Sequence, residues 1–119
     1  MVKLEKISEK RFMNDNNFKR GKLMQLGNLF QHSSTEKIKS QQVYKNEQFH
    51  VIQLQIKKDA VLKPHHATTD AFLLVIEGVI IFNMQEENIR LQKGDILTFE
   101  KFVTHSVQAL EDSIVLIIK

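Results

Sequence analysis

From residue 38 onward, hydrophobic and polar residues follow a period of two. Residues 49–56 read FHVIQLQI, in which aliphatic residues alternate with two glutamines. This alternation places apolar side chains on one face of an extended chain and polar side chains on the other. The pattern predicts a half-buried strand over residues 49–56, preceded by a second strand over residues 40–45.

The most apolar stretch, residues 64–82, reads PHHATTDAFLLVIEGVIIF. Its two apolar runs, residues 72–76 and 79–82, are too short to cross a membrane and are separated by Gly78. A glycine between two such runs predicts a tight turn, so we expect a hairpin here. Because neither run alternates with polar residues, we expect both faces of this hairpin to be covered and the polar residues before it to lie at the mouth of an apolar body.

Short apolar stretches separated by polar turns continue to the end of the chain, at residues 89–91, 96–99, 105–110 and 113–118. Regularly spaced short strands with almost no helical periodicity predict an all-β fold. The expected architecture is an antiparallel sandwich or barrel of the jelly-roll type.

The first third of the chain follows a different pattern. Residues 3–12 carry apolar positions at loosely helical spacing, which predicts a short helix. Residues 18–30 are apolar enough to pack on a barrel wall but contain two glycines, and the polar residues 31–36 form a natural linker. We therefore expect one barrel domain at residues 37–119, preceded by a short, partly helical N-terminal extension at residues 1–36.

Charge and cysteine content narrow the function classes. The net charge is +3, yet residues 1–45 hold ten Lys or Arg against four Asp or Glu, a net of +6, whereas residues 46–119 hold seven against ten, a net of −3. No nucleic-acid-binding motif accompanies the basic segment, which favours a solvated leader and argues against nucleic-acid binding. The chain contains no cysteine, which excludes disulfides and thiolate ligands. Because it shows no signal peptide or transmembrane stretch, we expect a soluble, cytoplasmic protein without membrane contacts.

Residues 64–78 resemble the first sequence motif of the cupins, small jelly-roll barrels that often hold a metal between histidines and a carboxylate. In that family the motif runs His-x-His, three or four residues, Glu, six residues and Gly. Counted back from Gly78, the first-histidine slot falls on His65, the second on Ala67 and the glutamate slot on Ala71. The first motif is therefore degenerate.

Residues 94–105 resemble the second cupin motif, which runs Gly, five residues, Pro-x-Gly, two residues and His. Gly94 and His105 have that spacing, with Glu100 and Phe102 where Pro and Gly are usual. Two of the four usual ligand positions are thus filled, and the resemblance covers roughly residues 40 to 119.

The spacing from His65 through Asp70-Ala71 to Gly78 is similar to that of a subgroup of small single-domain cupins, whose first motif reads His, four residues, Asp-Ala, an apolar run and Gly. Members of that subgroup are mostly of unassigned function. The resemblance implies a cupin-type antiparallel jelly-roll β-barrel.

Four residues are candidate metal ligands: His65, His66, Asp70 and His105. Neutral imidazole and carboxylate suit divalent zinc, iron, nickel or manganese. Adjacent residues of an extended chain point to opposite faces, so His65 and His66 cannot both face inward unless the corner at Pro64 is irregular. If Ala71, Leu73 and Val75 line the interior, as the family spacing implies, Asp70 faces away or lies at the rim. An alternative register, with His66 inward and Asp70 contributing from the loop, stays open.

Each candidate also has a purely structural interpretation. Asp70 can instead hydrogen-bond backbone amides and hold the shape of its loop. His66 can be exposed to solvent, and His105 can hydrogen-bond a carbonyl in the loop before its strand.

These observations lead to three functional hypotheses. The first is a small cupin that binds a small molecule in its barrel, with or without a divalent metal. The second is a metal-dependent cupin enzyme of the dioxygenase or isomerase type. The third is a regulatory or interaction module that uses the basic N-terminal segment. The sequence contains no motif that fixes a reaction, so it leaves open whether the protein is an enzyme.

We also expect a homodimer. Residues 49–56, 72–82 and 114–118 carry more apolar strand than one small barrel needs to turn inward. The resemblance implies the same, since cupins commonly pair through sheet faces and N-terminal strands.

Overall fold

The computed structural model of the chain describes residues 23–31 and 34–119. Within these ranges the chain forms nine antiparallel β-strands and no helix, which confirms the predicted all-β fold. The strands are β1 (Ile38–Lys45), β2 (His50–Ile56), β3 (Val61–His65), β4 (Ala71–Glu77), β5 (Val79–Met84), β6 (Glu87–Gln92), β7 (Ile96–Phe99), β8 (His105–Ala109) and β9 (Ser113–Ile118).

The strands form two sheets, as expected for a jelly roll. One sheet has five strands in the order β1-β2-β9-β4-β7, and the other has four in the order β3-β8-β5-β6. Strands far apart in sequence therefore pair, as β2 does with β9 and β5 does with β8. Both sheets turn their aliphatic side chains inward, so the described strands enclose one continuous hydrophobic core.

Strand β4 shows how the alternation builds this core. Ala71, Leu73 and Val75 are buried, whereas Phe72 and Leu74 between them are half-buried on the outer face. This is the inward set that the cupin spacing implied. The largest fully buried side chains come from both sheets and are Phe82, Ile56, Leu73, Ile80, Val75 and Val115.

The predicted hairpin across Gly78 is wrong. Strands β4 and β5 belong to different sheets and do not pair with each other, so Gly78 is the point where the chain crosses between sheets. Its φ is +91°, and a Cβ placed here would clash with the Ser113 side chain and the Asp112 carbonyl oxygen and lie 2.7 Å from Ser113 Cα. A glycine is required here because the corner approaches the β8–β9 turn closely.

The described part of the N-terminal extension, residues 23–31, is not helical and lies along the outer face of the five-stranded sheet. The Gln53 side chain of β2 donates a hydrogen bond to the Leu29 carbonyl oxygen at 2.7 Å. Of the residues 18–30 predicted to pack on the barrel, the structure describes 23–30, and these pack only in part, because Leu29 is half-buried while Leu23 is fully exposed. The helix predicted at residues 3–12 lies outside the described residues. The described chain contains no helix that is long and apolar enough to span a membrane.

Candidate functional site

Two histidines meet at one end of the barrel. His65 ends β3 and His105 begins β8, and the antiparallel register makes them direct partners. Their ring centroids lie 4.3 Å apart, with an angle of 65° between the ring planes. Two of the four predicted site residues are thus in contact, and we call them the imidazole pair.

An irregularity in β3 determines which side chains reach this site. The register shifts between Leu62 and His65, so that three steps along β3 match two steps along β8. A bulge of this kind breaks the strict alternation of side chains. As a result, Leu62 and His65, which are three residues apart, both line the same cavity, which a regular strand would not allow. His66 follows the end of β3 and also lines this cavity. The irregular corner at Pro64 considered in the sequence is therefore present.

Both imidazoles of the pair are held by carbonyl groups of their own segments. His65 Nδ1 lies 2.8 Å from the Lys63 carbonyl oxygen, and His105 Nδ1 lies 3.0 Å from that of Val103. A carbonyl oxygen can only accept a hydrogen bond, so each Nδ1 carries the proton and donates it. In the neutral ring, Nε2 is then left with a lone pair.

His105 is the buried member of the pair, with 5% of its surface exposed. Its ring stacks on Phe82 at a centroid distance of 5.4 Å and lies 4.4 Å from the Phe99 ring. Burial lowers the pKa of His105 below its usual 6.5, the hydrogen bond to Val103 partly opposes this shift, and the nearby His65 and His66 lower the pKa further. At neutral pH His105 is therefore an uncharged ring held in place by aromatic neighbours.

Both rings of the imidazole pair line a cavity of about 250 Å³ inside the barrel, which we call the barrel cavity. Most of its walls are apolar and come from Ile38, Ile52, Leu54, Leu62, Ala67, Ala71, Phe99 and Ile117. The polar groups that line it are Ser40, His65, His66, His105 and Lys119. None of these lining residues is an aspartate or a glutamate.

Asp70 stays outside the barrel cavity and ties two loops together. Its Oδ1 accepts a hydrogen bond from the Lys101 backbone amide at 3.0 Å. Nearby, the Phe102 amide donates to the Ala67 carbonyl oxygen at 2.8 Å. Asp70 therefore accepts a hydrogen bond from a backbone amide, as in its structural interpretation, but that amide belongs to the β7–β8 loop and not to its own loop. These two bonds fix the shape of the cavity mouth.

The sequence reasoning missed three contributors to the site. Phe82 and Phe99 pack against His105, and Lys119 lines the cavity. The alternation within β7 could have identified Phe99 as inward-facing, whereas the unbroken apolar run of β5 gives no such signal for Phe82. No signal in the sequence could have connected Lys119 to His65, because that proximity depends on the order of strands in the sheets.

A family model described as the cupin domain matches residues 51–118, which is more than half of the chain. The chain therefore belongs to the cupin family. The comparison with curated proteins finds no match.

Many solved structures share this fold. KdgF from Halomonas sp. is 25% identical with a TM-score of 0.66, and the match covers 72% of this chain and 81% of that one. An RmlC-like cupin protein from Desulfovibrio desulfuricans has a TM-score of 0.71 at 22% identity, covering 81% of this chain and 95% of that one. A conserved protein of unknown function from Streptococcus pyogenes has a TM-score of 0.68 at 17% identity, covering 87% and 90% of the two chains. The last two similarities show the fold alone.

Cupins often bind metals. Among residues 23–31 and 34–119, no three His, Cys, Asp or Glu side chains are grouped so that they could hold one. Catalytic zinc sites use three protein ligands and keep one position open. The imidazole pair supplies two ligands, and Asp70 is engaged with a backbone amide. The described residues do not fit a three-ligand metal centre, and metal binding by this chain stays a prediction.

Proposed function

We propose that this cupin is a small-molecule-binding protein whose site is the barrel cavity. The observation that carries the proposal is an apolar cavity of about 250 Å³ with two hydrogen-bonded, oriented imidazoles at its mouth. Small-molecule sites are typically concave and mostly apolar, with a few placed polar groups that orient the ligand. The composition of the wall agrees with that description.

The rigidity of the polar groups supports the same function. His105 is packed between two phenylalanines, and the loops at the mouth are joined by the hydrogen bonds of Asp70 and Ala67. When a site is already ordered before the ligand binds, little binding free energy is lost to rearrangement of the protein. These contacts favour a pre-formed binding site.

A substitution that fills the cavity and a matched control substitution test this proposal. Ala67→Phe should fill the cavity, because Ala67 is half-buried and lines it, whereas Thr68→Phe changes an exposed residue of the same loop. We expect cyclohexanol, used as a minimal apolar probe, to shift backbone amide signals of cavity residues in two-dimensional NMR. The shifts should disappear in Ala67→Phe and persist in Thr68→Phe. Equal shifts in both variants, or no shifts in the parent protein, would refute the proposal.

The second hypothesis, a metal-dependent cupin enzyme, requires a third metal-coordinating side chain that the described residues do not supply. Elemental analysis of protein purified without an affinity tag or chelator tests it, together with the double variant His65→Ala, His105→Ala. Near-stoichiometric zinc, iron, nickel or manganese that disappears in the double variant would favour the enzyme.

The regulatory module depends on the basic N-terminal segment, much of which lies outside the described residues. Deleting residues 1–36 tests it, since loss of partner or nucleic-acid binding with the barrel still folded would be its signature.

A further inference from the structure

We propose that a groove beside the barrel mouth is a second ligand site, in which the ligand stacks on the ring of Phe102. The groove has a volume of about 510 Å³ and lies between the ends of β3 and β5 and the β7–β8 loop. Among the described residues, only His105 lines both this groove and the barrel cavity. The site therefore goes beyond the barrel cavity proposed above, and we call it the mouth groove.

The first step concerns the backbone of Phe102. Its φ is +65°, in the left-handed region where bulky side chains are rare because the Cβ crowds a carbonyl oxygen. The Phe102 amide donates a hydrogen bond to the Ala67 carbonyl oxygen, and the neighbouring Lys101 amide donates to Asp70, so the loop is held in this conformation. Position 102 is where the second cupin motif usually has glycine, which adopts such a backbone without strain. The backbone therefore does not explain a phenylalanine here.

The second step concerns the side chain of Phe102. It is 64% exposed, whereas Phe82 and Phe99 in the core are 1% and 5% exposed. The centroid of its ring lies 6.3 Å from that of His66 and 5.7 Å from Lys101 Nζ, and both of these neighbours are exposed themselves. Packing in the core therefore does not explain the phenylalanine either.

The third step concerns the distribution of strained backbone. The described non-glycine residues with a left-handed φ are Asp59, Gln85 and Phe102. Two of these three, Gln85 and Phe102, line the mouth groove. Strained residues that the surrounding structure holds in place cluster at functional sites. An exposed aromatic ring on such a backbone points to a ligand that contacts the ring.

The fourth step concerns the chemical class of that ligand. The lining of the mouth groove also contains two side-chain amides and two hydroxyl groups, those of Asn83, Gln85, Thr104 and Ser106. Amides and hydroxyls donate and accept hydrogen bonds, and an aromatic face packs against the flat apolar side of another ring. This combination fits a ring-shaped molecule with a flat apolar face and hydrogen-bonding groups at its edge. A saccharide and a heteroaromatic amide share this chemistry, and the experiment below distinguishes them.

Titrations of the full chain with two uncharged probes test the proposal. The probes are methyl β-D-glucopyranoside and nicotinamide, and two-dimensional NMR follows binding. We expect at least one probe to shift the backbone amide signals of residues 83–85 and 102–106. The probe that does so shows whether the flat face belongs to a saccharide or to an aromatic ring.

The variant Phe102→Asn removes the ring and keeps the loop, because asparagine adopts a left-handed backbone more readily than bulky residues do. Binding of the probe should weaken about threefold to tenfold, which corresponds to the loss of one aromatic contact. Phe30→Asn is the matched control, because Phe30 is 55% exposed and does not line the mouth groove. This control should leave binding unchanged.

Thermal unfolding separates a ligand contact from a packing role. Phe102→Asn relieves the strain of a bulky residue with a left-handed backbone, so the midpoint of thermal unfolding should stay the same or rise. A ring that packed the barrel would make the midpoint fall instead.

Weaker binding by Phe102→Asn, together with an unchanged or higher midpoint, supports the proposal. It is overturned if neither probe shifts the groove signals, or if Phe102→Asn binds as tightly as the parent protein. It is also overturned if Phe30→Asn weakens binding as much, or if the midpoint falls in Phe102→Asn. None of these results depends on cyclohexanol binding in the barrel cavity, so the mouth groove and the function proposed above can fail separately.

Discussion

Replacing Gly78 by alanine should destabilise the barrel more than the same replacement at Gly94. Both glycines have left-handed backbones of almost equal φ, +91° and +90°, so the conformational cost of adding a Cβ is matched. They differ in their surroundings. A Cβ at Gly78 would collide with Ser113 and the Asp112 carbonyl, whereas a Cβ at Gly94 would have no atom within 4 Å.

The magnitudes follow from these two observations. A left-handed conformation costs an alanine about 1–2 kcal/mol in the folded state. Alanine also lowers the conformational entropy of the unfolded chain, which stabilises the folded state by about 0.4–1 kcal/mol at both positions. The free energy of unfolding should therefore fall by about 0–1.5 kcal/mol for Gly94→Ala. Forcing a methyl group against backbone atoms adds about 1–3 kcal/mol at Gly78. That addition is a large part of the stability of a typical domain, which is about 5–15 kcal/mol.

Urea denaturation followed by circular dichroism measures the difference. With a typical urea dependence of about 1–3 kcal/mol per molar, an extra 2 kcal/mol moves the midpoint by about 1 M. Equal midpoints for Gly78→Ala and Gly94→Ala would show that close approach at the corner is not what requires glycine there.

Three further predictions concern the site and the assembly. Because the pKa of His105 is lowered in the folded state, the unfolded chain binds more protons below the usual value of 6.5, and the free energy of unfolding should fall as pH drops below 6.5. The variant His105→Gln should show a weaker dependence in urea titrations at several pH values, and an unchanged dependence would contradict the assignment. Asp70→Ala should lose about 0.5–1.5 kcal/mol, because the Lys101 amide loses its acceptor, while Asp70→Asn keeps an acceptor oxygen and should lose less, as thermal unfolding can test. Light scattering at micromolar concentration should give twice the chain mass, because residues 23–30 expose several large apolar side chains that a second copy could cover, and a monomeric mass would refute the homodimer.

The sequence predicted the strands well because a two-residue period is a local signal. It failed at Gly78, where two apolar runs flanking a glycine resemble a hairpin whether or not the strands pair. What decides the matter is distant in sequence: β9 takes the place beside β4, and the β8–β9 turn approaches the glycine. A pattern read along one segment does not contain the identity of its partner.

The candidate site, too, could be predicted from the sequence only in part. The motif spacing correctly brought His65 and His105 to one end of the barrel, because the spacing reflects the register of the fold. It could not show that Asp70 would be occupied by a backbone amide from another loop. It also could not show the bulge that lets Leu62 and His65 line one cavity, because bulges change side-chain direction without changing residue type.

The hydrogen bonds from His65 to Lys63 and from His105 to Val103 each join a ring to a carbonyl two residues earlier. Backbone carbonyls are present whatever the side chain, so substitutions at Lys63 or Val103 leave the proton of each ring in place. The hydrogen bonds that orient the two rings at the cavity mouth therefore do not depend on which side chains surround them. Substitutions in the apolar walls of the cavity should therefore change its shape and leave the orientation of both rings in place.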